Sequence, residues 1–170
     1  MKSNVTLIGM PGAGKSTIGI ILAKVLSRGF VDTDVLIQMN RKKSLQRIMD
    51  EGGCFHLREI EASEILKIKV ENHVIATGGS AVYSHDAMTH LGHISTVVYL
   101  KVAYETLKNR IHNFGERGIA KAADQSFREL FHERQPLYEK YARITLEASN
   151  KSQDEVASWI ASELKKRGFR

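Results

Sequence analysis

This chain of 170 residues has little cysteine, little proline and no long apolar run. Its single cysteine, Cys54, excludes an internal disulfide and fits a protein of a reducing compartment. No apolar run approaches the roughly 18 residues that a membrane span needs. The first residues also lack the features of a secretory signal. We therefore expect a cytoplasmic protein with no membrane partner.

Internal repeats, low-complexity tracts and proline-rich linkers are missing as well, and only two prolines occur. The length is enough for one domain with a sizeable core. Hydrophobic residues make up 42% of the chain and charged residues 26%, the balance of a soluble globular protein. We expect a single domain over residues 1–170, and nothing in the sequence argues against a monomer.

The net charge of +6 is moderately basic. Such a balance suits nucleic-acid partners, but small anionic substrates also require arginines. Two clusters, residues 41–43 and 165–167, hold part of the excess and have the pattern of solvated surface. Because no aromatic residues interleave with them to stack on bases, we expect no nucleic-acid partner.

One stretch, residues 9–17, fits the pattern G-x-x-x-x-G-K-[ST] of phosphate-binding loops. A short apolar run at residues 5–8 predicts a buried strand ahead of it, and residues 17–26 predict a helix after it. Glycines let the backbone curl around an anion, and the helix N-terminus adds a positive dipole end. A glycine-rich turn without a ligand is the alternative, which this strand–loop–helix context argues against.

We expect nucleotide phosphates to bind this loop. Lys15 should reach the β- and γ-phosphates, and the Ser16 hydroxyl should coordinate Mg²⁺. The residues expected to bind the nucleotide here are Gly12, Ala13, Gly14, Lys15, Ser16 and Thr17.

Strand-like and helix-like stretches alternate along the whole chain. Strands are predicted at residues 5–8, 29–34, 73–77, 96–100 and 144–147, and helices at 17–26, 35–40, 44–51, 57–70, 104–111, 125–143 and 153–166. This alternation favours a three-layer α/β/α fold with a five-stranded parallel sheet. Ligands of such sheets bind beyond the carboxyl ends of the strands, where the glycine loop, Asp32, Asp34 and Gly78-Gly79 all fall.

Two aspartates, Asp32 and Asp34, end the second predicted strand. Alternation along an extended segment should point both side chains the same way. One carboxylate can help to hold Mg²⁺ through water, and the other can accept a proton from a substrate hydroxyl. An acidic turn without a function is the alternative, and the neighbouring phosphate loop weakens it.

Arginines supply candidate contacts for an anionic substrate. Arg58 can hold a carboxylate in a planar two-point grip. Arg117 lies in a polar stretch, residues 112–124, that we expect to close as a lid and carry its charge to the transferring phosphoryl group. A proline in place of Gly118 should preorder this lid where the local φ allows it. Taken singly, an arginine is more often a surface residue than a ligand contact.

The ordered set of motifs resembles the shikimate kinase family, a branch of the P-loop fold related to nucleoside monophosphate kinases. The resemblance covers nearly the whole chain and rests on the phosphate loop with Lys15-Ser16, Phe30-x-Asp32-x-Asp34-x-x-Ile37, Arg58-x-x-Glu61, Thr77-Gly78-Gly79, Val97-Val98-Tyr99-Leu100, Arg110 with Arg117, and Glu133-Arg134-x-Pro136-Leu137-Tyr138. It implies ATP- and Mg²⁺-dependent phosphorylation of shikimate to shikimate 3-phosphate, in aromatic amino acid biosynthesis.

The same resemblance implies roles for single residues. Asp34 would be the catalytic base, Asp32 would support Mg²⁺ together with Ser16, and Arg117 would be the lid arginine acting with Lys15. The other implied contacts are Arg58, Gly79 and Arg134 to the substrate acid, Arg110 to ATP, and Lys151 to the adenine. The substrate-binding helices would span about residues 33–62.

Several positions depart from the family's usual pattern, and most lie on the substrate side. Cys54 replaces a glutamate, Leu57 a phenylalanine and Ser80 a third glycine, while residues 118–120 read Gly-Ile-Ala in place of Pro-Leu-Leu. A kinase for another small hydroxylated acid therefore stays open. A nucleotide-dependent binding protein is a further alternative, motivated by the net charge and the altered lid.

Overall fold

Five strands form one parallel sheet in the structure, a computed structural model that describes residues 2–111 and 118–169. The strands are β1 (Asn4–Ile8), β2 (Gly29–Asp32), β3 (His73–Ala76), β4 (Ser95–Lys101) and β5 (Ile144–Glu147). Their order across the sheet is β2-β3-β1-β4-β5, and every neighbouring pair is parallel. The predicted five-stranded parallel sheet is confirmed.

Helices connect the strands and cover both faces of the sheet. Within the described residues they are α1 (Lys15–Leu26), α2 (Thr33–Arg41), α3 (Leu45–Leu66), α4 (His85–Ile94), α5 (Tyr104–Arg110), α6 (Phe127–Tyr141) and α7 (Gln153–Lys166), with a 3₁₀ turn at Ala81–Tyr83. All five side chains of β1 are buried, and successive strand residues face opposite sides, so the central strand is covered on both faces. The predicted three-layer α/β/α class is therefore confirmed.

None of the helices in residues 2–111 and 118–169 combines the length and the apolar character that crossing a bilayer requires.

The register brings three strand ends to one edge of the sheet. Ala76, the last residue of β3, is opposite Leu7 of β1 on one side and Asp32 of β2 on the other. The segments that follow these strands therefore emerge side by side, which places the glycine loop next to the two aspartates and Gly78-Gly79.

The second strand ends two residues earlier than predicted. Asp32 is the N-cap of α2, and its side chain accepts hydrogen bonds from the backbone N–H groups of Asp34 and Val35. Aspartate is among the preferred N-cap residues because it satisfies such N–H groups. Asp34 therefore lies in the first turn of a helix, and the expectation that strand alternation aligns the two carboxylates is wrong.

The helices predicted at residues 44–51 and 57–70 are two halves of α3. The helix begins after Ser44, whose side chain caps it, and its backbone departs from helical geometry at Gly53, where φ is 76°. The predicted boundary there reflected a real kink. By contrast, the sequence patterns missed α4, whose buried face consists only of Ala87, Met88 and Leu91.

Helix α7 closes the chain and begins with a capping box. The Ser152 hydroxyl accepts a hydrogen bond from the Glu155 N–H at 3.2 Å, and the Glu155 carboxylate accepts one from the Ser152 N–H at 2.7 Å. We expect Ser152→Ala to lower the free energy of unfolding by about 1 kcal/mol, because one backbone N–H loses its partner. Urea unfolding at constant m-value measures this change.

The matched control for this helix is Ser162→Ala, which changes an exposed serine within α7. Alanine has the higher helix propensity, so this variant should unfold at the same urea concentration as the parent or a slightly higher one. Equal midpoints for both variants would contradict a stabilising cap at Ser152.

Candidate active site

The glycine loop leaves the first turn of α1 open towards the cavity. Gly14 is the N-cap of α1 with φ at 92°, a left-handed conformation that suits glycine, and it provides no side-chain cap. Helix N-termini carry N–H groups without intrahelical partners and a positive dipole end. The loop therefore has the geometry of an anion-binding site.

Lys15 is held against this loop by two backbone carbonyls. Its ammonium donates to Gly9 O at 2.8 Å and to Met10 O at 2.9 Å, and the side chain is buried. Burial lowers the pKa of Lys15 to about 8, although the charges of Asp34 and Glu61 oppose this shift. Lys15 therefore brings a positive charge to the floor of the cavity.

Ser16 and Asp32 are in direct contact at the start of the two helices. The Ser16 hydroxyl donates to Asp32 Oδ2 at 2.5 Å, while Asp32 Oδ1 accepts the Asp34 N–H at 2.9 Å. One carboxylate thus links the first turn of α1 to the first turn of α2.

Asp34 lies at the mouth of the same cavity as Lys15. Burial and then the charge of Asp32 raise the pKa of Asp34 to about 6, and the charge of Lys15 opposes this shift. A carboxyl group with a pKa near the working pH suits proton transfer, because it is ionised at neutral pH yet retains basicity.

Glu61 is a site residue to which sequence reasoning gave no role. It is 3% exposed and lines the cavity from α3. Its Oε2 accepts a hydrogen bond from the Ser80 hydroxyl, and its Oε1 has no partner among the described residues. Burial and the charge of Asp34 raise the pKa of Glu61 to about 7. The motif Arg58-x-x-Glu61 could have indicated this site residue, because its spacing puts both side chains on one side of a helix.

The arginines Arg58 and Arg134 come together around two shared groups. Both donate to the carbonyl of Ala120, Arg134 at 2.6 Å and Arg58 at 3.3 Å. The guanidinium carbons also lie 3.6 Å (Arg58) and 5.2 Å (Arg134) from the centre of the Tyr83 ring. Arg134 lines the cavity and is 1% exposed, whereas Arg58 is half-buried and does not line it.

Gly79 lets the backbone pass close to Arg134. A Cβ at this position would stand 2.8 Å from Arg134 Nη1 and 2.9 Å from Pro11 Cδ, so a side chain does not fit. The Tyr138 hydroxyl donates to Gly79 O at 2.6 Å and fixes this turn.

Two neighbouring cavities share Arg110. The larger has a volume of about 390 Å³ and unites Lys15, Asp34, Gly79 and Arg134. The smaller has about 160 Å³ and is lined by residues that include Gly12–Gly14, Arg110 and Lys151. The structure therefore places most of the predicted phosphate, substrate and nucleotide residues in adjoining spaces, whereas Arg58 and Asp32 line neither of the two.

Residues 118–120 form one wall of the larger cavity. The Gly118 N–H donates to Gln46 Oε1 at 2.8 Å, and a Cβ at Gly118 would stand 2.6 Å from the backbone of Leu45. Gly118 has φ at 59°, which proline does not adopt, and proline also lacks the N–H. The local φ therefore does not meet the condition under which Gly118→Pro was expected to preorder this segment.

The predicted lid arginine, Arg117, lies outside the described residues, as do residues 112–116 of the predicted lid. Its assigned role remains a prediction.

A family model described as shikimate kinase matches residues 11–165. The chain belongs to the shikimate kinase family. It is therefore an ATP-dependent kinase that transfers a phosphoryl group to a hydroxyl, as the sequence predicted.

Relatives in this shikimate kinase family resemble the chain over nearly its whole length. The shikimate kinase of Caldanaerobacter subterraneus is 32% identical, and the match covers 92% of this chain and 93% of the relative. That of Nitrosospira multiformis is 36% identical, with 95% and 84% covered. The structure of "Shikimate kinase from Acinetobacter baumannii in complex with shikimate" superposes with a TM-score of 0.91 at 27% identity, covering 100% of this chain and 97% of the other.

The buried Glu61 gives this shikimate kinase family member a pH-dependent stability. Its pKa is raised from 4.5 to about 7 in the folded protein, so folding favours the protonated form. The contribution of Glu61 to the free energy of unfolding is then fully present below pH 4.5 and is lost as the pH rises through about 7. We expect Glu61→Gln to unfold at higher urea concentration than the parent at pH 8, with the difference shrinking towards pH 5.

Glu59→Gln is the control, since Glu59 is exposed on the same helix. Its unfolding midpoint should differ from that of the parent by the same small amount at every pH. If Glu61→Gln and Glu59→Gln show parallel pH profiles, Glu61 carries no raised pKa.

Proposed function

We propose that this chain phosphorylates shikimate to shikimate 3-phosphate with ATP, as a monomeric, cytoplasmic enzyme formed by a single domain. The observation that carries the proposal is the 390 Å³ cavity, which joins the phosphate loop, the carboxylate of Asp34 and the guanidinium of Arg134. The names of the relatives, and the complex with shikimate of the Acinetobacter baumannii protein, support this acceptor.

In this proposal the ATP phosphates lie on residues 12–17. Their backbone N–H groups and the α1 dipole attract the phosphate oxygens, and Lys15 contributes a full charge. Arg110 and Lys151 line the smaller cavity and contact the rest of the nucleotide. The ammonium of Lys15 has three donors, and the carbonyls of Gly9 and Met10 accept two of them. Lys15 can therefore reach a phosphate oxygen while it gives up only part of its contact with these carbonyls.

Asp34 acts as the base that accepts the proton of the reacting hydroxyl. It is ionised above pH 6, and the positive charge of Lys15 next to it favours the ionised form. The γ-phosphoryl group of ATP then passes to the acceptor oxygen, the bond to the bridging oxygen breaks so that ADP leaves, and the acceptor proton goes to Asp34.

The carboxylate of the acceptor binds to the arginine pair. Arg134 borders the cavity, Arg58 shares the Ala120 carbonyl with it, and Gly79 allows the backbone to approach the same ligand. A guanidinium matches a carboxylate in a planar, two-point arrangement, which orients the ring of the acceptor as well as binding it. The proposed substrate-binding helices, residues 33–62, supply Asp34, Arg58 and Glu61.

Mg²⁺ fits the oxygen donors at the start of α1 and α2. Ser16 offers a hydroxyl and Asp32 a carboxylate, and these two oxygens already lie 2.5 Å apart. Mg²⁺ takes few protein ligands and completes its shell with phosphates and water, so a larger acidic cluster is not required. When bound, the metal would neutralise charge on the phosphates, and Ser16 and Asp32 would hold it.

A kinase for another small hydroxylated acid is the second candidate. The observation that favours it is the changed wall of the acceptor cavity, where Ser80 contacts Glu61 and Leu57 replaces the family's aromatic ring. Arg117 would act as the lid arginine for either acceptor.

A coupled assay of ADP release with shikimate and Mg²⁺-ATP tests the acceptor. We expect shikimate-dependent turnover, and none with Lys15→Ala, which removes the charge at the phosphates. Turnover with gluconate or homoserine but not with shikimate would favour the second candidate. Retained activity in Lys15→Ala would mean that the loop is not the catalytic phosphate site.

We expect Asp34→Asn to reduce kcat by a factor on the order of 10² or more while ATP binding stays unchanged, because the general base is lost and the shape is kept. Steady-state kinetics and nucleotide titration calorimetry measure the two effects. Asp32→Asn is the comparison. Its main effect should be weaker binding of Mg²⁺, so that the rate reaches its maximum only at a higher Mg²⁺ concentration. If Asp32→Asn abolishes turnover while Asp34→Asn stays near the parent rate, the two roles are reversed.

A further inference from the structure

The hydroxyl of Ser80 makes its hydrogen bond inside the acceptor cavity. Ser80 precedes the 3₁₀ turn Ala81–Tyr83, yet its side chain makes no cap hydrogen bond to that turn. It donates instead to Glu61 Oε2. Both side chains line the cavity, and they are 6% and 3% exposed.

The second oxygen of Glu61 lies next to the proposed base. A Cβ built on Gly78 would collide with Glu61 Oε1 and would stand 2.7 Å from Asp34 Oδ1, so both oxygens border the same point. Among the described residues Oε1 has no hydrogen-bond partner. Because a buried carboxylate oxygen without a donor is unfavourable, a hydroxyl of a bound ligand would satisfy it.

Charged groups face Glu61 from three helices. Burial raises the pKa of Glu61 the most, and the charge of Asp34 of α2 raises it further. The charges of Arg134 of α6 and Lys15 of α1 lower it. The hydrogen bond from Ser80 lowers it more than either cation. Ser80 is therefore the strongest neighbour that favours the ionised carboxylate, which is the form that can accept a hydrogen bond at both oxygens.

We propose that Ser80 is a positioning residue that fixes one oxygen of Glu61 and presents the other to a hydroxyl of the acceptor that is not phosphorylated. Asp34 serves the reacting hydroxyl, and Glu61 binds its neighbour. The ligand class is a small acid with at least two hydroxyl groups. This inference rests on the proposed function and adds a determinant of acceptor specificity at the position where the family usually has glycine.

Ser80→Ala removes the hydroxyl and keeps the Cβ. We expect the KM for shikimate to rise about three- to tenfold with kcat within about twofold, the effect of losing one oriented hydrogen bond in binding. The acidic limb of kcat/KM should move to higher pH, since Glu61 is then protonated over a wider range. Ser80→Thr, which keeps the hydroxyl, should restore both values. An unchanged KM and pH profile in Ser80→Ala would overturn the proposal.

A double-mutant cycle separates positioning from a general change of shape. Shikimate binding is measured by calorimetry for Ser80→Ala, Glu61→Gln and the double variant. If Ser80 acts through Glu61, the second substitution adds nothing to the loss of affinity from the first. Fully additive losses would overturn the proposal.

A titration of the Glu61 side-chain carboxyl by ¹³C NMR in the ligand-free protein does not depend on the acceptor. Its pKa should rise in Ser80→Ala and stay unchanged in Ser80→Thr. An unshifted pKa in Ser80→Ala would overturn the proposal even if shikimate is turned over. A shifted pKa together with no shikimate turnover would support the Ser80–Glu61 contact and reject the proposed acceptor alone.

Discussion

The Asp32 carboxylate holds the phosphate side and the substrate side of the molecule together. One of its oxygens accepts the Ser16 hydroxyl at 2.5 Å, and the other accepts the Asp34 N–H at 2.9 Å. The first turns of α1 and α2 are therefore fixed relative to each other by a single side chain. Because a small misplacement of reacting groups slows a transfer reaction, a contact between these two first turns bears on the geometry of the cavity that both helices border.

The cavity concentrates charge that a core would normally exclude. Lys15, Glu61 and Arg134 are buried within one space with Asp34 at its edge, and burial shifts the pKa of each carboxyl upwards and that of the lysine downwards. Buried charges are unfavourable unless they are paired. Holding these four groups in one cavity therefore has some cost to the stability of the protein.

The sequence was sufficient for the sheet and the phosphate loop, because these rest on local patterns, and for the family, because its motifs occur in order along nearly the whole chain. Alternating apolar stretches predicted all five strands, and the glycine motif predicted the loop. The role of Asp32 as a helix cap was not predictable from alternation alone, since a hydrogen bond to Asp34 N–H competes with extended structure. The contacts of Glu61 with Ser80, and of Gly118 with Gln46, join distant parts of the chain, and no local pattern encodes them.

The arginine pair has a consequence for inhibitors. Arg58 and Arg134 lie against one carbonyl, that of Ala120, and one aromatic ring, that of Tyr83. These neutral groups orient the two cations without neutralising them, and the charge of Glu61 acts on Arg134 from the same cavity. In the proposed role, where the pair binds the acid of the acceptor, an amide or an ester in place of that acid would remove the anion that the two guanidinium groups share. On that proposed role, inhibitors of this site should carry a planar anionic group, and esters used to bring them into cells should bind only after hydrolysis.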